Sequence, residues 1–225
     1  MRNILIVMSA LMITGCASSR GFDRGNLRSR ITDQKVVTEN DIEKALDLKP
    51  QLPAPFKLAI YLAPSHPRWN WLSEDKDKLL KIGSELKSKN IISDVFIIGD
   101  AILEGTGNKA IRLAAARAGA DAVLIIKGVS DIDRYNNVLG STYFLLLTLY
   151  FVPGTVADGL FMVNGSMWDV RNQYLYLSAE AEGSAGETRP WAFIEESRVI
   201  KSAKTGALEA LVKDLSVRLM SMGTK

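Results

Sequence analysis

Histidine and cysteine are almost missing from this chain of 225 residues, which has one of each, His66 and Cys16. Zinc and iron sites are built from clusters of such side chains, so no metal site is expected. One cysteine also excludes an internal disulfide. Charge of one sign is scarce: 28 basic against 25 acidic side chains leave a net +3, or +2 without Arg2. So small an excess does not build the basic face that nucleic acid requires, and no nucleic acid is expected as a partner. No apolar run reaches the ~20 residues that a membrane-spanning helix needs. Catalytic signatures are lacking as well, with neither a G-x-S-x-G elbow nor a G-x-x-x-x-G-K-[ST] phosphate loop. Gly105-Thr106-Gly107-Asn108-Lys109 has the wrong spacing for the latter and reads as a turn capping a helix. No cofactor is expected, and the chain does not read as an enzyme.

The first residues do carry a pattern. Met1-Arg2-Asn3 is a short basic start, residues 4–13 are apolar apart from Ser9, and Thr14-Gly15-Cys16 closes the run. This is the charged, apolar and small-residue order of a secretory signal. Its end, Ile13-Thr14-Gly15-Cys16, resembles the lipobox of bacterial lipoproteins, where the cysteine thiol is alkylated with diacylglycerol and the bond before it is cut. The resemblance implies cleavage between Gly15 and Cys16 and a membrane partner held through lipid on Cys16. A lone thiol in an oxidising envelope fits that use. Ala17, where Asp would retain an enterobacterial lipoprotein in the inner membrane, favours the outer membrane, with the chain facing the periplasm.

With the first 15 of 225 residues removed, 210 remain, enough for one domain with an arm. The composition, 47% apolar and 24% charged, is that of a globular chain. Residues 16–51 carry Arg20, Arg24, Arg28, Arg30 and Lys35 among few large apolar side chains. They read as a lipid-anchored tether, with a grip of the arginines on anionic head groups as the alternative. A short helix over 40–48 interrupts the tether, and Pro50, Pro53 and Pro55 end it. Residues 52–225 form the globular domain. Strands are expected over 56–63, 91–98 and 120–127, with helices over 73–89 and 108–118 between them. Residues 159–170 and 173–183 read as an antiparallel hairpin about Arg171-Asn172, and 205–222 as an amphipathic closing helix. The expected fold is α/β: a mixed sheet of about five strands, a parallel βαβαβ first half, an antiparallel hairpin second half, and a closing C-terminal helix. That element order is similar to the amino-terminal domain of TolB and to several outer-membrane accessory lipoproteins.

Longer runs carry a further resemblance. LPAPFKLAIYLAP (52–64), LSEDKDKLL (72–80), GADAVLII (119–126), YFVPGTVADGLFMV (150–163) and WDVRNQYLYLSAEAEG (168–183) resemble the rhombotarget lipoprotein family. The resemblance implies an association with the rhombosortase protein-sorting system and no catalytic activity. Ser221-Met222-Gly223-Thr224-Lys225 lacks the glycine-rich motif, apolar helix and basic tail of a rhombosortase substrate. The expected place is therefore that of an accessory rather than a processed substrate.

Two segments remain as candidate sites. His66, in a proline-flanked loop beside Arg68, Trp69 and Trp71, has no nucleophile or carboxylate paired with it in sequence. The loop reads as a turn whose tryptophans pack over the sheet edge or against a partner. Asp131 and Asp133, with Arg134, read as solvated loop charges rather than as a cation or acid–base site. Residues 143–152, YFLLLTLYFV, hold no charge. Three readings stand for them: a buried piece completing the core, an exposed patch for self-association or a partner, and a membrane-inserting hairpin. Leu145, Leu146 and Leu147 do not alternate as a barrel strand would, which counts against the third. The contact residues expected from these segments are Leu145, Leu146, Leu147, Tyr150, Phe151, Trp69 and Trp71. The expected function is a non-enzymatic, outer-membrane-anchored lipoprotein presenting a protein-binding or envelope-assembly surface. The alternative is a subunit of an oligomeric outer-membrane export or pore assembly.

Overall fold

A computed structural model describes residues 18–32, 37–64 and 68–222. In chain order the elements are α1 (Arg24–Ile31), α2 (Glu39–Leu46), β1 (Phe56–Leu62), α3 (Ser73–Ser88), β2 (Ile92–Ile98), α4 (Gly107–Arg117), β3 (Ala122–Asn136), the one-turn α5 (Thr148–Phe151), β4 (Thr155–Asp169), β5 (Leu175–Arg189) and α6 (Glu196–Met222). The strands form one mixed sheet in the order β2-β1-β3-β4-β5. β1 pairs in parallel with β2 and β3, whereas β3, β4 and β5 are antiparallel to one another. The expected α/β class, parallel first half, hairpin and closing helix are all present.

The pleat of β3 sorts the layers. Leu124 and Ile126 join Phe161 of β4 in a core closed by Leu79 of α3 and Leu208 and Leu211 of α6. Val123 and Ile125 face the other way, against Ile111, Ala114 and Ala115 of α4. The domain is thus a three-layer α/β/α sandwich, with α3 and α6 on one face.

Four elements, β3, β4, β5 and α6, exceed their expected lengths. β3 was expected over 120–127 but continues to Asn136, ten residues past Ile126, the last partner of β1. β4 pairs with it along its whole length, Asn136 opposite Thr155, so a three-stranded ribbon extends beyond the parallel half. Asp131, Asp133 and Arg134 therefore lie on a strand and not in a loop. α6 begins at Glu196 rather than near Thr205, because Val199, Ile200 and Ala203 are needed to cover that ribbon.

The expected tether is also corrected from Ser18 onward. Leu27 and Ile31 of α1 are buried against Val129, Leu160 and Met162, on the same face as α4. Arg24 and Arg28, candidates for gripping head groups, pair instead with Glu182 and Glu180 of β5 at 3.0 and 3.2 Å. Upstream of α1, Asp133 accepts hydrogen bonds from the Ser19 hydroxyl (2.7 Å), the Arg20 amide (2.7 Å) and the Gly21 amide (3.0 Å). Burial pushes the Asp133 carboxyl up, but those hydrogen bonds together outweigh it and hold the group below its ordinary value. A lowered carboxylate stabilises the fold above its unfolded pKa of about 4 and loses that contribution as pH falls through the native value. Asp133→Ala, or acidification into that window, is expected to speed hydrogen exchange at the Arg20 and Gly21 amides while leaving α6 unchanged.

Candidate functional site

The distal end of the β3–β4–β5 ribbon is closed by a cap, residues 137–154, whose polar groups turn inward. Asn137 begins it: its side-chain oxygen accepts from the Leu139 and Gly140 amides, and its side-chain amide donates to the Pro153 carbonyl at 3.0 Å. A 3-10 turn over Val138–Phe144 follows. Gly140 lies so close to Gly154 that a Cβ at either position would meet the other's backbone. The Tyr143 hydroxyl then ties the segment together, donating to the Val152 carbonyl at 3.0 Å and accepting from the Gly154 amide at 2.8 Å. The Thr148 hydroxyl lies 2.6 Å from the Thr142 carbonyl and 2.7 Å from that of Leu145.

Satisfying the polar groups inside leaves the apolar side chains outside. Phe144, Leu145, Leu146, Leu147, Tyr150 and Phe151 are all exposed, Leu146 by 75% and Phe151 by 79%. The buried-core reading of residues 143–152 is overturned. The sheet faces that such a run could cover are already filled by α1, α3, α4 and α6. Val138 and Leu139 extend the exposed surface, and the turn after β5 adds Trp191 and Phe193. Phe193 meets Tyr150 edge-on at 6.4 Å, which brings the two segments into one patch. Arg134 lies over the Trp191 ring, 5.4 Å from its centroid, and reaches Glu196 at 3.6 Å. Sequence reasoning missed Trp191 and Phe193. The available signal was Pro190-Trp191-Ala192-Phe193 between a polar alternating strand and a helix. A contiguous exposed surface of this composition marks an interaction site.

The two tryptophans expected as contacts do not join this patch. Trp69 is 5% exposed and stacks edge-on against Phe161 at 4.8 Å and Trp71 at 4.9 Å, so it belongs to the core and presents no surface. Trp71 is partly buried, with its indole N–H donating to the Ala63 carbonyl at 2.8 Å. Gly15, Cys16 and His66 lie outside the described residues.

A concavity of about 240 Å³ opens at the C-terminal ends of β1 and β2 beside Asn70, Trp71, Lys76 and Asp100. Open α/β sheets bind ligands in such a position. Two polar pairs lie at it or beside it. The Tyr61 hydroxyl donates to Asp100 at 2.7 Å, and burial plus that carboxylate raise the phenol well above its ordinary value. Beneath Trp71, Lys204 of α6 is paired with Asp75 of α3, both buried. Neither pair sets a nucleophile beside a base. Among the described residues no group of three or more His, Cys, Asp or Glu is placed to hold a metal, and no helix is long and apolar enough to cross a membrane.

No family model and no curated protein matches the chain. Solved structures show distant likenesses of fold. A homologue of the neuraminyllactose-binding hemagglutinin from Helicobacter pylori is 14% identical, with a TM-score of 0.41 over 79% of this chain and 92% of that one. A minor lipoprotein from Acinetobacter baumannii is 11% identical, with a TM-score of 0.39 over 76% and 94%. The PelC dodecamer from Paraburkholderia phytofirmans is 17% identical, with a TM-score of 0.32 over 74% and 92%. At these values no partner or activity transfers from them.

Proposed function

We propose that the chain is a non-enzymatic lipoprotein, anchored in the outer membrane through lipid on Cys16, that presents its α/β domain to a protein partner in the periplasm as an accessory of envelope assembly. The observation that carries this reading is the attachment of Ser19, Arg20 and Gly21 to Asp133. Cys16 precedes Ser19 by three residues, a reach of at most about 11 Å at 3.8 Å per Cα step. Lipid there holds a folded domain against the bilayer instead of trailing it on a long arm. The Ile13-Thr14-Gly15-Cys16 sequence supplies the anchor's chemistry. The runs that resemble the rhombotarget lipoproteins point to a place beside the rhombosortase sorting system.

Radiolabelled palmitate fed to cells should label the wild-type chain, which should fractionate with the outer membrane. Cys16→Ser should take up no label and keep its first 15 residues. An unlabelled wild-type chain cut at some other bond would refute the anchor. Cross-linking in the cell then separates the partner readings. Adducts with a different protein support the accessory role, whereas a ladder of self-adducts closing at a ring-sized species replaces it with the export or pore subunit.

A further inference from the structure

We infer that the apolar cap over residues 137–154, together with Trp191 and Phe193, is a membrane-dipping foot that enters the lipid interface beside the Cys16 anchor and fixes the domain upright. This rests on the lipid-anchored reading above, and three observations carry it further.

The first is position. The contacts of the N-terminal segment climb toward the cap as the chain is followed backwards. Arg28 pairs with Glu180, which lies in register with Asn164 and Lys127; Arg24 pairs with Glu182, in register with Met162 and Val129; Ser19 reaches Asp133. Asp133 is three residues from Asn136, where the ribbon ends and the cap begins. Ala122, at the opposite end of β3, lies about 36 Å from Asp133 at 3.3 Å per residue. A cysteine within about 11 Å of Ser19 can bring lipid only to the cap end of the molecule.

The second is the inverted polarity of the cap. A loop built for water turns its polar groups outward, and here Asn137, Tyr143 and Thr148 turn theirs inward onto the cap's own backbone. In hydrocarbon each unpaired backbone group is costly, so irregular chain is tolerated there only when its polar groups are satisfied internally. Leucines with tyrosine, phenylalanine and tryptophan around them are the composition of an interfacial anchor.

The third is charge. Residues 135–157 contain no Asp, Glu, Lys, Arg or His. Of the charges around them, Arg134 pairs with Glu196, Arg189 with Glu187 and Arg198 with Glu195, while Asp158 accepts from the Tyr135 hydroxyl at 3.0 Å. The foot is therefore an apolar device that binds zwitterionic lipid, and salt does not release it. A grip by exposed arginines would weaken as ionic strength rises.

The test uses the mature lipidated chain, whose native thiol is blocked by lipid, so one introduced cysteine takes one nitroxide. Labels at Leu146→Cys, Phe151→Cys and, as a control on the exposed face of α6, Val217→Cys are compared in phosphatidylethanolamine-rich vesicles. Accessibility to oxygen relative to a water-soluble nickel complex is expected to be several-fold higher at 146 and 151 than at 217, and unchanged by molar salt. Adding Leu147→Asp should abolish the difference. Equal ratios at all three positions overturn the foot, as does protection from both reagents that persists in detergent, which instead marks a second copy or a protein on the cap. If mass spectrometry finds no lipid on Cys16, the anchor reading fails separately. The same labels on an unlipidated chain carrying Cys16→Ser, added to the same vesicles, then decide the foot alone.

Discussion

Gly183→Val is expected to leave the protein largely unfolded at ambient temperature. A side chain at Gly183 of β5 would be driven into the Ala203 carbonyl oxygen and the Ala207 amide nitrogen, both in the middle of α6. Flexible side chains relieve a clash by changing rotamer, and overpacking then costs about 1–3 kcal/mol. Backbone inside a helix has no such freedom, so α6 must lift as a body from the sheet. That movement uncovers Ile200, Ala203, Ala207 and Leu208, all buried in the shared core. The cost then passes the ~4 kcal/mol above which single substitutions become exceptional, a large part of the 5–15 kcal/mol that typically stabilises a domain. Gly183→Ala should lose several kcal/mol in urea titration followed by circular dichroism. Gly206 provides the control, since it is exposed on α6 and an added Cβ there meets nothing within 4 Å. Gly206→Ala should raise stability by ~1 kcal/mol from helix propensity alone. Equal responses at the two positions would show that the approach of α6 to β5 is not tight.

Gly183 also shows where sequence reasoning runs out. The parallel half was legible because its strands are β-branched apolar runs separated by helices of clear period. The hairpin was legible because Leu177 and Ala179 alternate with Ser178 and Glu180. The distal ribbon was not. Along β3, Asp131, Asp133 and Arg134 look like loop charges, and only the arrival of Ser19, Arg20 and Gly21 at the Asp133 carboxylate makes a strand position tolerable there. The arm misled for the related reason that α1 buries just Leu27 and Ile31, too few for a periodic signal. Of the candidate site, Leu145 to Leu147, Tyr150 and Phe151 were named as contact residues while their run was also read as buried core, and all five are exposed. Hydropathy alone does not tell an exposed run from a buried one; the hydrogen bonds of Tyr143 and Thr148, which pin the backbone and turn those side chains outward, are a tertiary fact. Trp69 erred in the opposite sense, because a tryptophan in a loop beside Pro64 and Arg68 gives no hint that Phe161 of β4 lies within stacking distance.

Lys204→Met is expected to cost about 3–5 kcal/mol, because it strands a buried carboxylate without its counter-ion. Lys204 and Asp75 are 2% and 4% exposed, and the Lys204 ammonium also donates to the Asn70 carbonyl at 2.6 Å. After the substitution Asp75 keeps one described partner, the Leu72 amide at 2.8 Å, where it caps the start of α3. Removing the charge at both ends is a different experiment. Lys204→Met with Asp75→Leu leaves no buried charge and a volume close to the original, so the main loss is that cap, worth about 1 kcal/mol. The double variant should therefore be more stable than the Lys204→Met single, and the double-mutant cycle should return a coupling of at least ~2 kcal/mol. Additive losses would show that water reaches the pair and screens it. The role expected of the pair in the native protein is register. It ties the first turn of α3 to the middle of α6 at one position, where the surrounding leucines alone would accept a shift along the helix. The double variant should then keep all of its stability but the cap's contribution, yet lose chemical-shift dispersion around Trp71 and Asn70, the residues that α3 and α6 jointly hold in place.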